Sequence, residues 1–230
     1  MAATPIRVQQ FLQNLPLFGG LTAEEIDRLA AATAQVRAPS GTLVFRRGDP
    51  CNGFHVIVYG QIKLALAGRD GSEKVVEVLG PGQSFGEAVM FLEQPYVVFA
   101  EALTDTMLLF IGKSALFAEI DRNPRFARKM LAGLAMRLHR LMGDLEAFSL
   151  KSGTQRVIAY LLRDAPFEAE VGTPFEVELT TSKGVLASRL NITREHFSRI
   201  LHELTTAGLI KVRGRQVSVL DLAQLRAYTP

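Results

Sequence analysis

Two short helices joined by a tight turn are predicted near the C-terminal end of the chain. The first spans Ser182–Arg189, and the second spans Arg194–Thr206 after Thr193, which can cap its first turn. Asn191 falls in the intervening turn, where a positive φ is expected, because asparagine tolerates that conformation better than other non-glycine residues. Gly208 follows the second helix as a stop signal. The pattern predicts a helix-turn-helix.

Apolar residues on the two helices and a hairpin after them complete this unit. Ala187 is small, as a close crossing of two helices requires. The apolar faces that would bury the unit are formed by Leu186, Leu190, Ile192, Phe197, Leu201 and Leu204. Residues 209–220, with Arg213-Gly214-Arg215 at their turn, are predicted to form a β-hairpin. The segment is therefore predicted to be a winged helix-turn-helix.

The positive charge of the chain is concentrated around the same unit. The formal net charge is only +3. Residues 1–150 carry 15 Lys+Arg and 15 Asp+Glu, whereas residues 151–230 carry 11 and 8. Within residues 182–215 there are seven basic and two acidic residues. This excess is explained either by a solvated basic face or by a nucleic-acid-binding surface.

The placement of the charges favours DNA. Four polar residues share the exposed side of the second helix in its N-terminal half: Arg194, Glu195, Ser198 and Arg199. A helix in the major groove presents such positions to base edges, where arginine can bond guanine and glutamate can accept from cytosine. The residues expected at phosphates are Ser182, Lys183, Arg213 and Arg215. Double-stranded DNA is the predicted partner, and Glu195 favours sequence-specific binding, because an acid on a DNA-binding face is costly unless it contacts a base donor.

A long helix, predicted for residues 122–148, carries an unbroken heptad repeat. Apolar residues recur at alternating spacings of four and three, at Ala127, Leu131, Leu134, Leu138, Leu141, Leu145 and Phe148. A helix that lies on its own core rarely keeps such a seam, so the pattern favours a parallel homodimer with this helix as its axis. A core stripe within one chain is the alternative.

Short strands separated by glycine-containing turns dominate the chain before this helix. A capped helix begins at Thr22 and is expected to end near Ala34, and the strand-rich region is expected to begin at Pro39. Strands are predicted at residues 42–45, 54–59, 61–66, 75–79 and 107–111. Their spacing predicts an antiparallel barrel or sandwich.

The order of these parts resembles the Crp/Fnr transcription regulators over nearly the whole chain. The matching signatures are Gly82-Gln83-Ser84-Phe85-Gly86-Glu87 and Arg194-Glu195-His196-Phe197-Ser198-Arg199-Ile200-Leu201. The resemblance implies an α+β fold with an N-terminal antiparallel β-roll of the cyclic-nucleotide-binding type at residues 1–120. A coiled-coil dimerisation helix at 121–149 and a winged helix-turn-helix domain at 150–230 would follow. It also implies a transcription activator that contacts RNA polymerase.

Within that family the chain looks most like the DNR/NNR-type regulators of denitrification, which implies nitric oxide sensing through haem. Similar stretches include residues 44–48, 87–91 and 156–162. Glu195, Ser198 and Arg199 match the Glu-x-x-Ser-Arg pattern of Fnr-like proteins, which implies a TTGAT-type half-site. Arg194 instead matches the Crp pattern, which implies a TGTGA-type half-site. Both half-sites stay open.

The candidate effector pocket departs from the cyclic-nucleotide pattern. Relatives that bind a cyclic nucleotide combine a Gly-Glu pair with an Arg-Ser pair about ten residues later, and at that later place this chain has two valines. A cyclic phosphate facing two valines would be buried without a charged partner, which argues against cyclic AMP and cyclic GMP. The run Val97-Val98-Phe99 is expected to form a strongly apolar strand. The candidate pocket residues are Gly86, Glu87, Val97, Val98, Leu131 and Leu134.

The sequence does not identify a cofactor. Oxygen sensing of the Fnr type needs several cysteines, and the chain has only Cys51. Haem needs a single histidine as axial ligand, so it is compatible with the sequence, although His55 and His139 are expected to be packing or surface residues. No metal site is predicted, because four strand residues separate Cys51 from His55 by about 13 Å.

Other functional classes find less support. The chain has no apolar stretch long enough for a membrane helix and no signal-peptide core, so a cytoplasmic protein without a membrane partner is expected. No catalytic triad, phosphate-binding glycine loop or HExxH motif occurs, so no catalytic residue is assigned and an enzyme is not expected. The alternative to a DNA-binding regulator is a ligand- or haem-binding signalling module without specific DNA binding.

Overall fold

Two four-stranded antiparallel sheets form most of the N-terminal part of the chain. The computed structural model describes residues 7–15, 18, 21–68, 71–150, 152–163, 165 and 175–228. The chain divides into two compact units, residues 1–140 and 141–230, and the boundary falls inside one long helix. Each unit has its own hydrophobic core.

The strands of the first unit form the predicted antiparallel roll. In the part of the chain that the structure describes they are β1 (Thr33–Ala38), β2 (Leu43–Phe45), β3 (Gly53–Tyr59), β4 (Ile62–Ala67), β5 (Glu73–Leu79), β6 (Ser84–Phe85), β7 (Phe99–Ala102) and β8 (Thr106–Gly112). One sheet has the order β1-β8-β3-β6 and the other β2-β7-β4-β5, with antiparallel pairings. The helices are α1 (Val8–Gln13), α2 (Ala23–Ala31), α3 (Glu87–Phe91), α4 (Lys113–Arg122) and α5 (Pro124–Leu150).

Three predictions for this unit are wrong. The sheets begin at Thr33 and not at Pro39, and α2 ends at Ala31 and not near Ala34. β1 is an edge strand in which one of six side chains is buried, so it lacks a clear apolar alternation. The apolar run Val97-Val98-Phe99 is not one strand. β7 starts at Phe99, which pairs with Ala65, and the two valines form a bend before it. Val97 is 57% exposed, so no neighbouring strand covers it.

The central strands of the first sheet face two separate cores. Phe54 and Val56 of β3 pack into a cluster with the helices, whereas Ile57 faces a second cluster between the two sheets. Phe126, in the first turn of α5, is fully buried in the helical cluster, and its ring stacks on Phe18 with centroids 5.9 Å apart. Burial of a phenylalanine contributes about 1.5–3 kcal/mol, so this residue fixes the start of the long helix on the roll.

A buried carboxylate joins the helices before and after the sheets. Glu119 on α4 has a side chain that is 6% exposed, and it accepts hydrogen bonds from Arg28 on α2, at 2.7 Å from Nε and 3.0 Å from Nη2. Arg122 Nη1 lies 3.2 Å from the same carboxylate. The hydrogen bond from Arg28 holds the pKa of Glu119 below its ordinary value. Because the contact is bidentate, it defines the position of α4 on α2 immediately before α5 begins.

The second unit contains the predicted winged helix-turn-helix. After the end of α5 its described elements are α6 (Gly153–Leu161), β9 (Phe175–Glu178), α7 (Lys183–Arg189), α8 (Arg194–Thr206), β10 (Ile210–Arg213), β11 (Gln216–Val219) and α9 (Leu222–Ala227). The strands form an antiparallel sheet in the order β10-β11-β9. The hairpin of β10 and β11 was predicted, and β9 was not.

The connection between α5 and α6 is shorter than the predicted hinge at residues 149–153. Ser149 and Leu150 belong to α5, whereas Ser152 caps α6 and Gly153 is its first residue. Lys151 lies outside the described residues. Only two residues therefore separate the long helix from the next one.

Candidate nucleic-acid interface and effector site

The turn between α7 and α8 has the predicted backbone geometry. Asn191 has a φ of 56°, in the left-handed region. Thr193 Oγ1 accepts a hydrogen bond of 3.1 Å from the backbone N–H of His196, and Ser182 Oγ accepts one of 3.3 Å from Val185. Both caps satisfy backbone donors at helix starts, so the two helices begin at defined residues.

α8 is divided into a buried face and an exposed face. Its buried side chains, which belong to the core of the second unit, are Phe197, Ile200, Leu201 and Leu204. The exposed side chains in its N-terminal half are those of Arg194, Glu195, Ser198 and Arg199, hereafter the reading face. The structure thus brings together the four residues singled out from the sequence. They offer two guanidinium forks, one carboxylate acceptor and one hydroxyl, groups that can distinguish base edges in a major groove.

The residues expected at phosphates lie at two places in the same unit. Ser182 is the exposed cap of α7, and Lys183, half-buried, is the first residue of that helix. Arg213 and Arg215 are exposed on either side of Gly214, whose φ is 62° in the turn of the wing hairpin. Cations at a helix start and at a hairpin tip suit contacts to a phosphate backbone, which position a protein without reading the sequence.

The Gly-Glu pair of the roll is held by the roll itself. Gly86 has a φ of 92° and precedes α3, which begins with Glu87. The Glu87 residue is only 3% exposed, and its Oε1 accepts a hydrogen bond of 3.3 Å from Ser84 Oγ. Ser84 was not singled out from the sequence, although its place three residues before the glutamate could have suggested the contact.

An aromatic stack fills the roll beside Gly86. Tyr96 lies parallel to Phe45 with ring centroids 3.6 Å apart, and its hydroxyl donates a hydrogen bond of 3.3 Å to the Gly53 carbonyl. A Cβ on Gly86 would lie 3.4 Å from the Tyr96 ring, so the ring is in contact with the Gly-Glu turn. Burial raises the pKa of the Tyr96 hydroxyl well above its ordinary value. This stack could not be predicted from the sequence, because its two rings come from distant segments.

The other candidate pocket residues differ in their exposure. Val98 packs, half-buried, against the cluster between the sheets, whereas Val97 is largely exposed. On α5, Leu134 is half-buried and Leu131 is 64% exposed. Lys63, a buried cation in β4, is engaged by two carboxylates, Glu73 at 2.6 Å and Glu101 at 2.9 Å. None of the candidate residues Val97, Val98, Leu131 and Leu134 carries a cation that could pair with a cyclic phosphate.

His55 does not fit the role of a haem ligand as it is placed. Its ring lies 5.0 Å from Phe85 and 5.0 Å from Phe110, centroid to centroid, with Phe45 at 6.1 Å. A porphyrin on either ring nitrogen would have to displace these rings. Nδ1 is buried without a hydrogen-bond partner, and burial lowers the pKa of the imidazole to about 4. His139 is exposed on α5.

Among the described seam residues of α5, two leucines are exposed to solvent in the single chain. Leu131 and Leu138 are 64% and 60% exposed, whereas Ala127 and Leu134 are half-buried. The side chains of Leu141, Leu145 and Phe148 lie outside those that the structure describes. An apolar row of this kind on a long helix is costly in water unless another surface covers it.

Neither a membrane span nor a metal-binding cluster occurs among the described residues. None of the helices there combines the length and hydropathy of a membrane span. The same residues contain no grouping of three or more His, Cys, Asp or Glu side chains that could hold a metal ion.

Comparison with known families matches both units. The cyclic nucleotide-binding domain family matches residues 35–123, which include most of the roll. The Crp-like helix-turn-helix domain family matches residues 155–228, which include α7, α8 and the wing. The two matches occur in the order that the domain arrangement requires.

Individual proteins match over nearly the full length. The Cyclic AMP receptor protein of Thermus thermophilus is 31% identical over 215 residues, which are 93% of this chain and 96% of that protein. The structure of DNR from Pseudomonas aeruginosa is 34% identical, covers 98% of this chain and 100% of its own, and has a TM-score of 0.54. FixK2 from Bradyrhizobium japonicum, at 23% identity, covers 86% and 98% with a TM-score of 0.72, which supports the fold.

Proposed function

Because the chain belongs to the Crp/Fnr family of DNA-binding transcription regulators, we propose that it acts as a homodimer that reads one DNA sequence through α8 and responds to an effector in the roll. The observation that carries this proposal is the division of α8. One face is buried in the domain core, and the reading face presents Arg194, Glu195, Ser198 and Arg199 to solvent. A helix fixed by its apolar side and polar on the other is suited to enter a major groove.

Base recognition is assigned to the reading face and phosphate binding to its surroundings. Arg199 can bond guanine O6 and N7 with two parallel N–H groups, and Glu195 can accept from cytosine N4. Glu195, Ser198 and Arg199 fit a TTGAT-type half-site and Arg194 fits a TGTGA-type half-site, so both types are candidates for the operator. Ser182, Lys183, Arg213 and Arg215 would set the register on the duplex.

Dimerisation is supported by the exposed seam. Leu131 and Leu138 expose apolar side chains to water in a single chain, and a second copy of the same helix would cover them symmetrically. In such a dimer the two copies of α8 would lie about 34 Å apart, one turn of DNA. An effector in the roll would act by shifting the seam around Leu131 and Leu134 between two packings.

A non-nucleotide effector is proposed for the roll. The Gly-Glu pair is present, but the following Arg-Ser pair is replaced by Val97 and Val98, and Lys63 is engaged by Glu73 and Glu101. A cyclic phosphate would lack its charged partner there. The candidate pocket residues remain Gly86, Glu87, Val97, Val98, Leu131 and Leu134.

Haem-based nitric oxide sensing is a second candidate for the effector, favoured by the 34% identity with DNR. Bound haem would supply an iron atom for a diatomic gas. Since His55 is enclosed by aromatic rings, His139 is the histidine outside the DNA-binding unit that is open to a ligand role. Absorption spectra of the full chain with stoichiometric haem test this candidate. A Soret band that is altered in His139→Ala supports it, and the absence of a shifted Soret band removes it.

The remaining features follow the family. We infer a cytoplasmic transcription activator that contacts RNA polymerase and has no enzymatic activity. Residues 1–120 would sense the effector, residues 121–149 would form the dimer helix and residues 150–230 would bind DNA.

Replacing Arg199 by alanine is expected to relax recognition at one G·C base pair of each half-site. The loss of a bidentate contact should weaken binding to the preferred operator by about 1–3 kcal/mol. The measurement is fluorescence anisotropy with a set of duplexes in which single operator base pairs are changed. One duplex of the set is changed at the G·C pair that Arg199 contacts. Arg199→Ala should bind this duplex as well as it binds the preferred operator.

Arg215→Ala is the matched control, because Arg215 is also exposed but lies on the wing. It should weaken binding to all duplexes alike and lower the salt dependence, by about two units in the slope of log K against log salt, because each protomer of the dimer loses one phosphate contact. A uniform loss from Arg199→Ala, indistinguishable from that of Arg215→Ala, would contradict the assigned base contact.

A further inference from the structure

The first turn of α6 lies directly against the start of the reading helix. A Cβ built on Gly153 would lie 3.1 Å from Cε1 and 3.5 Å from Nε2 of His196, and 3.3 Å from Cγ2 of Ile192. Carbon atoms in favourable contact lie about 3.5–4.0 Å apart, so two of these distances are too short for an ordinary contact. Glycine at this position therefore allows the backbone of one helix to touch the side chains of the other.

The α6 side of this contact is held in place by a reciprocal cap. The backbone N–H of Gln155 donates to Ser152 Oγ at 3.2 Å, and the backbone N–H of Ser152 donates to Gln155 Oε1 at 2.9 Å. Two hydrogen bonds across one turn restrict the backbone on both sides of Gly153. Further along α6, Val157 and Leu161 are buried in the core shared with α8.

The backbone on the α8 side is restrained as well, whereas the His196 side chain is exposed. The backbone N–H of Ile192 donates to the Ala187 carbonyl at 3.0 Å, and that of His196 donates to Thr193 Oγ1 at 3.1 Å. His196 directly follows Glu195, and Ser198 comes two residues after His196. His196, which touches Gly153, therefore lies between residues of the reading face in the sequence. The first turn of α6 therefore lies against the segment that carries the base-reading side chains.

We propose that the contact of Gly153 with His196 positions the reading helix relative to the end of the long helix α5, and that His196 is a positioning residue for base recognition. Only Lys151 and Ser152 separate α5 from α6, so movement at the end of α5 reaches this contact across two residues. The proposal rests on the proposed function, since it concerns how the same DNA-reading surface is set.

Side chains introduced at position 153 of the full chain test the proposal. We expect Gly153→Ala to lower the ratio of operator affinity to unrelated-DNA affinity about threefold and Gly153→Leu more than about tenfold, since base contacts depend on the placement of α8. Affinity for unrelated DNA should change less than about twofold, because the phosphate-binding residues remain. Gly153→Ala should not lower the thermal unfolding midpoint, because alanine favours a helix over glycine.

Gly112→Ala is the control with the same substitution. Gly112 precedes α4 in the first unit with a φ of −68°, and a Cβ there would have no neighbour within 4 Å. This variant should keep the wild-type affinity ratio. Equal ratios for the wild type, Gly153→Ala and Gly153→Leu would overturn the inference, and Gly153→Ala alone suffices should Gly153→Leu fail to fold.

A double-mutant cycle with His196→Ala separates positioning from a general structural effect. Removal of the imidazole makes room for a side chain at position 153, so Gly153→Ala should reduce the affinity ratio less in the His196→Ala background than in the wild type. Additive effects would overturn the proposed contact. A wild-type chain that binds operator DNA and unrelated DNA equally well would overturn the proposed function itself. A wild-type preference for the operator that is retained in every Gly153 variant would overturn only this inference.

Discussion

Replacing Leu138 by lysine is expected to convert the proposed dimer into monomers and to weaken binding to a palindromic operator by about two orders of magnitude or more. Leu138 occupies a seam position of α5 where two copies of a parallel dimer would face each other. The variant removes two apolar side chains from the interface, each worth about 1.5–3 kcal/mol, and places two like charges together. The dimer dissociation constant should rise about 10²- to 10⁴-fold. Sedimentation velocity and operator titration measure both effects.

The fold of the single chain should survive this change, because the Leu138 side chain is 60% exposed before any partner binds. His139→Lys is the matched control. It introduces the same side chain at the neighbouring exposed position, which lies outside the seam, and it should remain a dimer. A Leu138→Lys protein that stays dimeric and keeps its operator affinity would show that the seam is not the dimer axis.

The pH dependence of stability should contain a contribution of about 3 kcal/mol from His55. Burial lowers the pKa of this imidazole from its ordinary value of 6.5 to about 4 in the folded state. Between these values the unfolded chain binds a proton that the folded chain does not, so stability is present above pH 6.5 and is lost as the pH falls towards 4. Urea unfolding of the full chain at several pH values between 7.5 and 4 measures this loss.

His55→Phe should remove this contribution and raise stability at neutral pH. Nδ1 is buried without a hydrogen-bond partner among aromatic rings, and an unsatisfied buried polar atom costs about 1–3 kcal/mol. Phenylalanine fills a similar space without a polar atom. His139→Phe, at an exposed histidine, should leave the wild-type pH profile unchanged. An unaltered profile in His55→Phe would mean that other groups cause the acid sensitivity.

The helix-turn-helix could be predicted closely from the sequence because its signals are local. Thr193 caps α8, Asn191 adopts a positive φ and Gly208 follows the helix with a φ of 74°, and each conformation depends on one residue and its near neighbours. The same locality explains why the limits of α8 agree with the predicted ones. The exposed reading face followed from helical periodicity alone.

The parts that escaped prediction depend on residues that are distant in the sequence. β9 is a strand because Val177 pairs with Val217. The burial of His55 comes from Phe45, Phe85 and Phe110, which belong to three other strands. Nothing in the alternation of β3 distinguishes such a position from an exposed one.

The seam of α5 could be predicted only in part from the sequence. Its helix was predicted from the heptad repeat and is present from Pro124 to Leu150. Its partner is a second chain, so the repeat itself and the exposed Leu131 and Leu138 are the observations that support the proposed dimer. The effector pocket is defined least well by the sequence, since Tyr96 fills the space beside Gly86 and was not foreseen.

Selection of bound duplexes from a randomised DNA library tests the central claim most directly. The full chain would be used at physiological salt, alone and with haem or cyclic AMP, followed by sequencing of the retained DNA. A dimer that reads bases through α8 should enrich an inverted repeat whose half-sites resemble TTGAT or TGTGA and lie about one helical turn apart, centre to centre. Retention of DNA without any enriched motif under all conditions would contradict a sequence-specific regulator.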